Sequence, residues 1–290
     1  MKLRKILLPT DFSENAEHAL RQAVALALAS KAKLHIFHAV LLQAADPRHL
    51  QTVLKDYAEH VDQEARKLLQ AKSGDLAERG LDVEISTARS LSPLEAILAE
   101  VERVKPDLIV MGTHGRTGVG KLVLGSVAEK VVRYAPINVM TVRKDATIVG
   151  ESDGVKRLLV PVDFTDFSRR ALETASAMVS EKGSLTVVHV VASPIHPSFY
   201  AGGITRLFDV DPELPSRIRE NLEKWLGDHP AEIVVTEGDI AAEILKTAEK
   251  TRAELIVMGT RGLTGIDHLL LGSVCERVVR TSQVPVLTVK

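Results

Sequence analysis

Leu108-Ile-Val-Met111, then Gly112-Thr-His-Gly115, nine residues and Gly125-Ser126, is the stretch that decides the fold. It returns 147 residues later as Leu255-Ile-Val-Met258, Gly259-Thr-Arg-Gly262, nine residues and Gly272-Ser273. In each copy a short apolar run leads into a glycine-rich loop. Each loop leads into a helical pattern, at 127–132 and 274–279. Strand, glycine loop, helix is how α/β proteins hold phosphates. Glycines let backbone N–H groups turn toward the ligand, and the helix N-terminus adds partial positive charge. One such loop is a weak signal; two with the same spacing, in surroundings that have drifted apart, are a strong one.

Outward from the loops, the repeat continues. Lys5-Ile-Leu-Leu-Pro-Thr10-Asp11-Phe-Ser13 opens the first half, and Arg157-Leu-Leu-Val-Pro-Val162-Asp163-Phe-Thr165 the second. Short apolar runs ending in Pro and Asp read as buried parallel strands. Ser13 is a good N-cap, and Glu14 and Glu17 suit the first turn of the helix it starts. Second strands at 34–40 and 185–191 carry His38 and His189 at equal places. The apolar spacing from 49 to about 72 predicts a long amphipathic helix. Residues 193–215 hold Pro194, Pro197, Gly202, Gly203, Pro212 and Pro215, so in the second half helix is expected only over 217–226. Third strands (83–87, 233–236) and third helices (93–104, 241–250) precede the strand that feeds each loop. Last strands, 137–142 and 284–289, close each half. The polar stretch 144–153 reads as a linker, which gives domains 1–144 and 153–290.

Strands alternating with helices mean an α/β fold with a mostly parallel sheet and helices on both faces. Ligands of such sheets sit beyond the carboxyl ends of the strands, where strand order reverses. Asp11 ends the first strand and Gly112 the fourth, so both face one crevice if those strands are neighbours. Strand order itself does not follow from the pattern.

Composition narrows the function classes. A chain of 290 residues fits two domains. A net charge of −1 leaves no electrostatic footprint for nucleic acid or an anionic membrane. Aromatics at 3% argue against a base-stacking surface. The single Cys275 excludes an intrachain disulfide and a cysteine metal cluster, and reads as a small buried residue. The apolar run 6–8 is too short for a signal-peptide core, and no uncharged stretch is long enough for a membrane span. The expected location is cytoplasmic. The run from Gly115 to Lys121 nearly spells a P-loop, but Leu122 stands where a Mg²⁺-binding hydroxyl belongs. His114 is replaced by Arg261 in the second copy, which speaks against a metal or catalytic role. His38 and His189 read as hydrogen-bonded core residues. No catalytic or metal-ligating residue is expected.

The early Asp-Phe-Ser/Thr together with Gly-x-x-Gly, nine residues, Gly-Ser resembles the nucleotide-binding branch of the universal stress protein family. The resemblance covers nearly all of both halves. It implies two tandem doubly wound domains, each a five-stranded parallel sheet in order 3-2-1-4-5 with helices on both faces. It implies ATP, with Mg²⁺, in each crevice, pairing of the domains within the chain through the last strands, and a homodimer. The adenine side maps to Asp11 and Ala39, and to Asp163 and Val190. Ribose and phosphates map to Gly112, Gly115, Gly125, Ser126 and Val127, and to Gly259, Gly262, Gly272, Ser273 and Val274. Thr10, Met111 and Arg116, with Val162, Met258 and Arg261, complete the expected nucleotide contacts. A slow ATPase and a scaffold that has lost nucleotide binding are the alternatives.

Overall fold

The computed structural model describes residues 3–41, 51–113, 124–150, 154–192, 206–262 and 271–290, with the backbone alone at 51–55. The chain divides into two compact units, one of residues 2–152 and the other of 153–290 with Met1.

In the first unit the strands are β1 (Lys5–Pro9), β2 (Lys33–Leu41), β3 (Val83–Ser90), β4 (Leu108–Gly112) and β5 (Asn138–Val142). They pair in the order β3-β2-β1-β4-β5, all parallel. The helices are α1 (Glu14–Ser30), α2 (Gln51–Glu78), α3 (Pro93–Val104) and α4 (Ser126–Tyr134). Right-handed crossovers place α1 and α2 on one face and α3 and α4 on the other. The central strands are therefore covered on both sides, which is why they read as unbroken apolar runs. Ile6, Leu7, Leu8, Leu108, Ile109 and Val110 are all fully buried.

Local signals account for the helix ends. Ser13 accepts from the Ala16 N–H at 3.3 Å, and Ser92 caps α3 ahead of Pro93. The helix α2 runs past the expected end because Leu76, 5% exposed, docks its last turns; Tyr57 and Leu68 are exposed. The described part of the stretch expected as linker, 144–150, lies along α1. His18 Nε2 donates to the Ala146 carbonyl at 2.7 Å, and the Gln22 amide bonds both backbone groups of Val149, at 2.8 and 3.0 Å.

The second unit repeats the plan with β6 (Val155–Pro161), β7 (Val179–Ala192), β8 (Glu232–Gly238), β9 (Leu255–Gly259) and β10 (Val286–Val289). Within it the order is β8-β7-β6-β9-β10, again parallel. Its helices are α5 (Asp166–Ser176), α6 (Leu207–Val210), α7 (Leu214–Leu226), α8 (Ile240–Lys250) and α9 (Ser273–Thr281). Helix forms earlier than the prolines suggested. Pro215 sits in the first turn of α7, where its missing N–H has no helical acceptor to lose. The turn α6 is held by Glu237, whose two carboxylate oxygens accept from the N–H groups of Leu207 and Phe208 at 2.6 and 3.1 Å. Both units thus adopt the α/β order 3-2-1-4-5.

Candidate functional site

That order makes β1 and β4 neighbours, Ile6 beside Leu108 and Leu7 beside Ile109, and likewise β6 and β9. Strand order reverses there, so Asp11 and Gly112, and Asp163 and Gly259, emerge at one carboxyl end in each unit.

The aspartates are held in matching turns. Asp11 Oδ1 accepts from the Ser13 N–H at 3.0 Å, and Asp163 Oδ1 from the Thr165 N–H at 3.2 Å. To make that turn, the intervening Phe12 and Phe164 both adopt the left-handed region at φ 63°. A non-glycine residue there costs of order 1 kcal/mol, and such strain gathers where a structure must aim a side chain. Each phenylalanine ring lies on a histidine of the second strand, Phe12 on His38 with centroids 4.6 Å apart and Phe164 on His189 at 5.1 Å. Each histidine donates Nδ1–H to the carbonyl just before the aspartate, His38 to Thr10 at 2.7 Å and His189 to Val162 at 2.8 Å. These histidines are core supports, as their sequence reading holds, and the carbonyls they fix set the angle at which the aspartates leave the sheet.

On the neighbouring strand Met111 and Met258 are buried in the sheet, 6% and 5% exposed, one residue before the first glycine. The reason for that glycine is packing. A Cβ at Gly112 would come 3.0 Å from the Asn15 backbone, and one at Gly259 would come 2.7 Å from Phe167 Cβ, so the first turn of α1 or α5 crosses the strand end at contact. Gly262 differs. A Cβ there would meet the carboxylate itself, 2.7 Å from Asp163 Oδ2. The two motifs of the second half, 99 residues apart in sequence, therefore face each other across the crevice. Gly115 and Arg116, with the P-loop-like run, lie outside the described residues.

The far end of each loop is pinned beside its start. The Gly125 N–H donates to the Thr113 carbonyl at 2.7 Å and the Gly272 N–H to that of Thr260 at 2.9 Å. Gly125 and Gly272 are the N-caps of α4 and α9 and supply no side-chain cap. Ser126 and Ser273 are thus first-turn residues, followed by Val127 and Val274. Their N–H groups belong to the set that a helix leaves for an outside acceptor. Arg261 lies over Phe167, with its guanidinium carbon 5.3 Å from the ring centroid. Ala39 and Val190 stand on β2 and β7, in register with Ala88 and Thr236. Among the described residues no group of three or more His, Cys, Asp or Glu side chains is placed to hold a metal ion. No helix of the described residues is long and apolar enough to cross a membrane.

Sequence reasoning missed the left-handed Phe12 and Phe164 and the pinning carbonyls of Thr113 and Thr260. The signal for both was the recurrence of Asp-Phe and Gly-Thr at equal places in the two halves. It also missed a buried polar network that joins β2, β3 and α3. His35 Nε2 donates to Glu100 Oε1 at 2.7 Å, Arg103 Nε donates to Glu100 Oε2 at 2.8 Å, and the Ser86 hydroxyl donates to the same carboxylate. Burial alone would raise Glu100; the hydrogen bonds from Arg103, Ser86 and His35 outweigh it and hold the carboxyl down to about 2.

Comparison with known proteins agrees with the fold and shows the family. The model of the universal stress protein family matches residues 2–143 and again 154–290. A universal stress protein of Methanocaldococcus jannaschii is 36% identical over 143 residues, covering 47% of this chain and 82% of that protein. The universal stress protein E homolog of Haemophilus influenzae is 24% identical over 315 residues, covering 100% of this chain and 98% of that protein. The crystal structure of a universal stress protein from Archaeoglobus fulgidus matches with a TM-score of 0.73 at 24% identity, covering 100% of this chain and 99% of that one. At that identity it speaks for the fold alone.

Proposed function

The chain belongs to the universal stress protein family, and from that premise we propose that each half binds one ATP and that nucleotide state tunes conformation or association with a partner. The observation that supports the reading is that a Cβ at Gly262 would stand 2.7 Å from Asp163 Oδ2, so a carboxylate and a glycine loop meet in one crevice. In this reading Asp11 and Asp163 accept from the adenine amine, beside the backbone of Ala39 and Val190. Thr10, Met111 and Arg116 line the first crevice, and Val162, Met258 and Arg261 the second. Glycines 112, 115 and 125, and 259, 262 and 272, bring the backbone to ribose and phosphates, and the N–H groups around Ser126, Val127, Ser273 and Val274 meet the phosphates. The fit is chemical: an uncapped helix N-terminus suits an anion, and a carboxylate suits an exocyclic amine. In this reading Mg²⁺ arrives with the triphosphate; among the described residues no group of three or more His, Cys, Asp or Glu is placed to hold it independently. The protein acts in the cytoplasm and as a homodimer, and its output is regulatory.

Mass spectrometry of the small molecule released from purified protein tests this. Retained ATP is the expected result. ADP or AMP after incubation with ATP would make the protein a hydrolase, and an empty protein that takes up no nucleotide would make it a scaffold.

A further inference from the structure

Among the described residues β3 pairs with β2 alone, so it ends the sheet. The Leu34 N–H donates to the Asp82 carbonyl at 2.9 Å, and in a parallel ladder alternate residues turn to the same neighbour. The even-numbered residues of β3 therefore bond β2, and Ile85, Thr87 and Arg89 turn their N–H and C=O groups away from it. A groove of about 640 Å³ runs along this edge, lined by residues 85–90, by Ala96, Ala99 and Arg103 of α3 and by Arg66 of α2. Six strand residues at about 3.3 Å each span roughly 16 Å, the length of one short added strand.

The two walls differ in chemistry. Odd-numbered side chains of β3 face α2, where Arg89 reaches Asp62 at 3.7 Å; even-numbered ones face α3, where the Ser86 hydroxyl bonds Glu100. On the α2 wall Arg66 pairs with Asp62 at 3.3 Å, and Arg89 with Asp62 and with Glu59 at 4.0 Å. Of these four, Arg66 and Arg89 line the groove and the two carboxylates do not. Both contacts of Arg89 are too long for hydrogen bonds, so its guanidinium keeps donors for an outside acceptor. On the α3 wall Glu95 and Glu100 balance Arg103, and Ala96 and Ala99 leave room between them.

We propose that the β3 edge takes up an extended peptide as an added strand, with acidic side chains toward Arg66 and Arg89 and apolar ones toward Ala96 and Ala99. The outward N–H and C=O groups supply the ladder, and the arginines select the acidic face. In a second copy of the chain the matching edge carries the same arginines, so self-pairing would set like charges together. Nothing in this site depends on nucleotide.

The test is fluorescence anisotropy of the full chain with a labelled, capped peptide of alternating Glu and Val, and with the same peptide carrying Lys for Glu. The Glu peptide should bind more tightly than the Lys peptide by about tenfold or more, and Arg66→Met or Arg89→Met should each narrow that gap by about threefold or more. Arg66→Met leaves Asp62 its contact with Arg89. An added strand bonds β3 along one of its edges only. N-methylation of every Val and of every Glu should therefore differ: one removes binding, and the other leaves it within about twofold. Amide exchange at Ile85, Thr87 and Arg89 should slow when the Glu peptide is bound. Equal binding of the Glu and Lys peptides, equal behaviour of the two N-methylated forms, or unchanged exchange at those amides would overturn the proposal. Self-association that slows the same amides without peptide would assign the edge to a second copy and overturn it as well.

Discussion

Asp163 Oδ2 occupies the space that a side chain at Gly262 would need: even one carbon there would stand 2.7 Å from it. That distance is closer than carbon and oxygen tolerate, so the two positions are coupled. Gly262→Ala should destabilise the protein by about 1–2 kcal/mol, and Asp163→Ala should remove most of that penalty. A double-mutant cycle in urea checks it. Additive effects would mean that the two residues do not meet.

Gly112 and Gly259 answer to a different neighbour, the first turn of the following helix. Alanine at either should cost about 1–3 kcal/mol through displacement of that turn, with Gly259→Ala the worse because its clash is tighter, 2.7 against 3.0 Å. Thermal unfolding of the two variants measures this. Equal, wild-type melting would show that the helices have room to move.

Base choice follows from the aspartates. GTP presents a carbonyl where ATP presents an amine, and two acceptors facing each other leave polar groups unpaired at about 1–3 kcal/mol. ATP should be preferred over GTP by about tenfold or more. Asn offers a donor as well as an acceptor, so Asp11→Asn with Asp163→Asn should narrow the gap. Competition binding reads the ratio, and equal affinities in wild type would remove the role assigned to the aspartates.

Acid stability depends on Glu100. Its carboxyl is held down to about 2 in the fold, below the usual carboxylate value of 4.5. The sign follows: this stabilisation is complete above the unfolded value and is lost as pH falls from about 5 toward 2. Glu100→Gln should flatten that part of the stability profile. At pH 7 it should cost on the order of 3 kcal/mol, because His35 and Arg103 lose a buried charged acceptor. Urea unfolding at a series of pH values separates the two effects.

How legible the molecule was depended on the range of each interaction. The apolar runs of β1 and β4 announced buried strands because both faces are covered. The helix α3 was read from Pro93 to Val104, the bounds it has. Residues 73–78 did not read as helix, since the buried contact of Leu76 that extends α2 is tertiary. Pro215 was taken for a breaker although a first turn accepts it. The recurrence of Asp11, Gly112 and Gly125 in the second half pointed to the crevice, while the strand order that closes it came from resemblance alone. The network around Glu100 was invisible because it joins β2, β3 and α3 across 65 residues of chain. No local pattern marks a group whose partners are that distant.

The central claim is one adenine nucleotide per half. Isothermal titration of nucleotide-free full-length protein with ATP tests it most directly. The account predicts a stoichiometry of two ATP per chain, falling to one when Asp163→Ala removes the carboxylate of the second crevice. A stoichiometry of zero, or of two in wild type and variant alike at unchanged affinity, would contradict it.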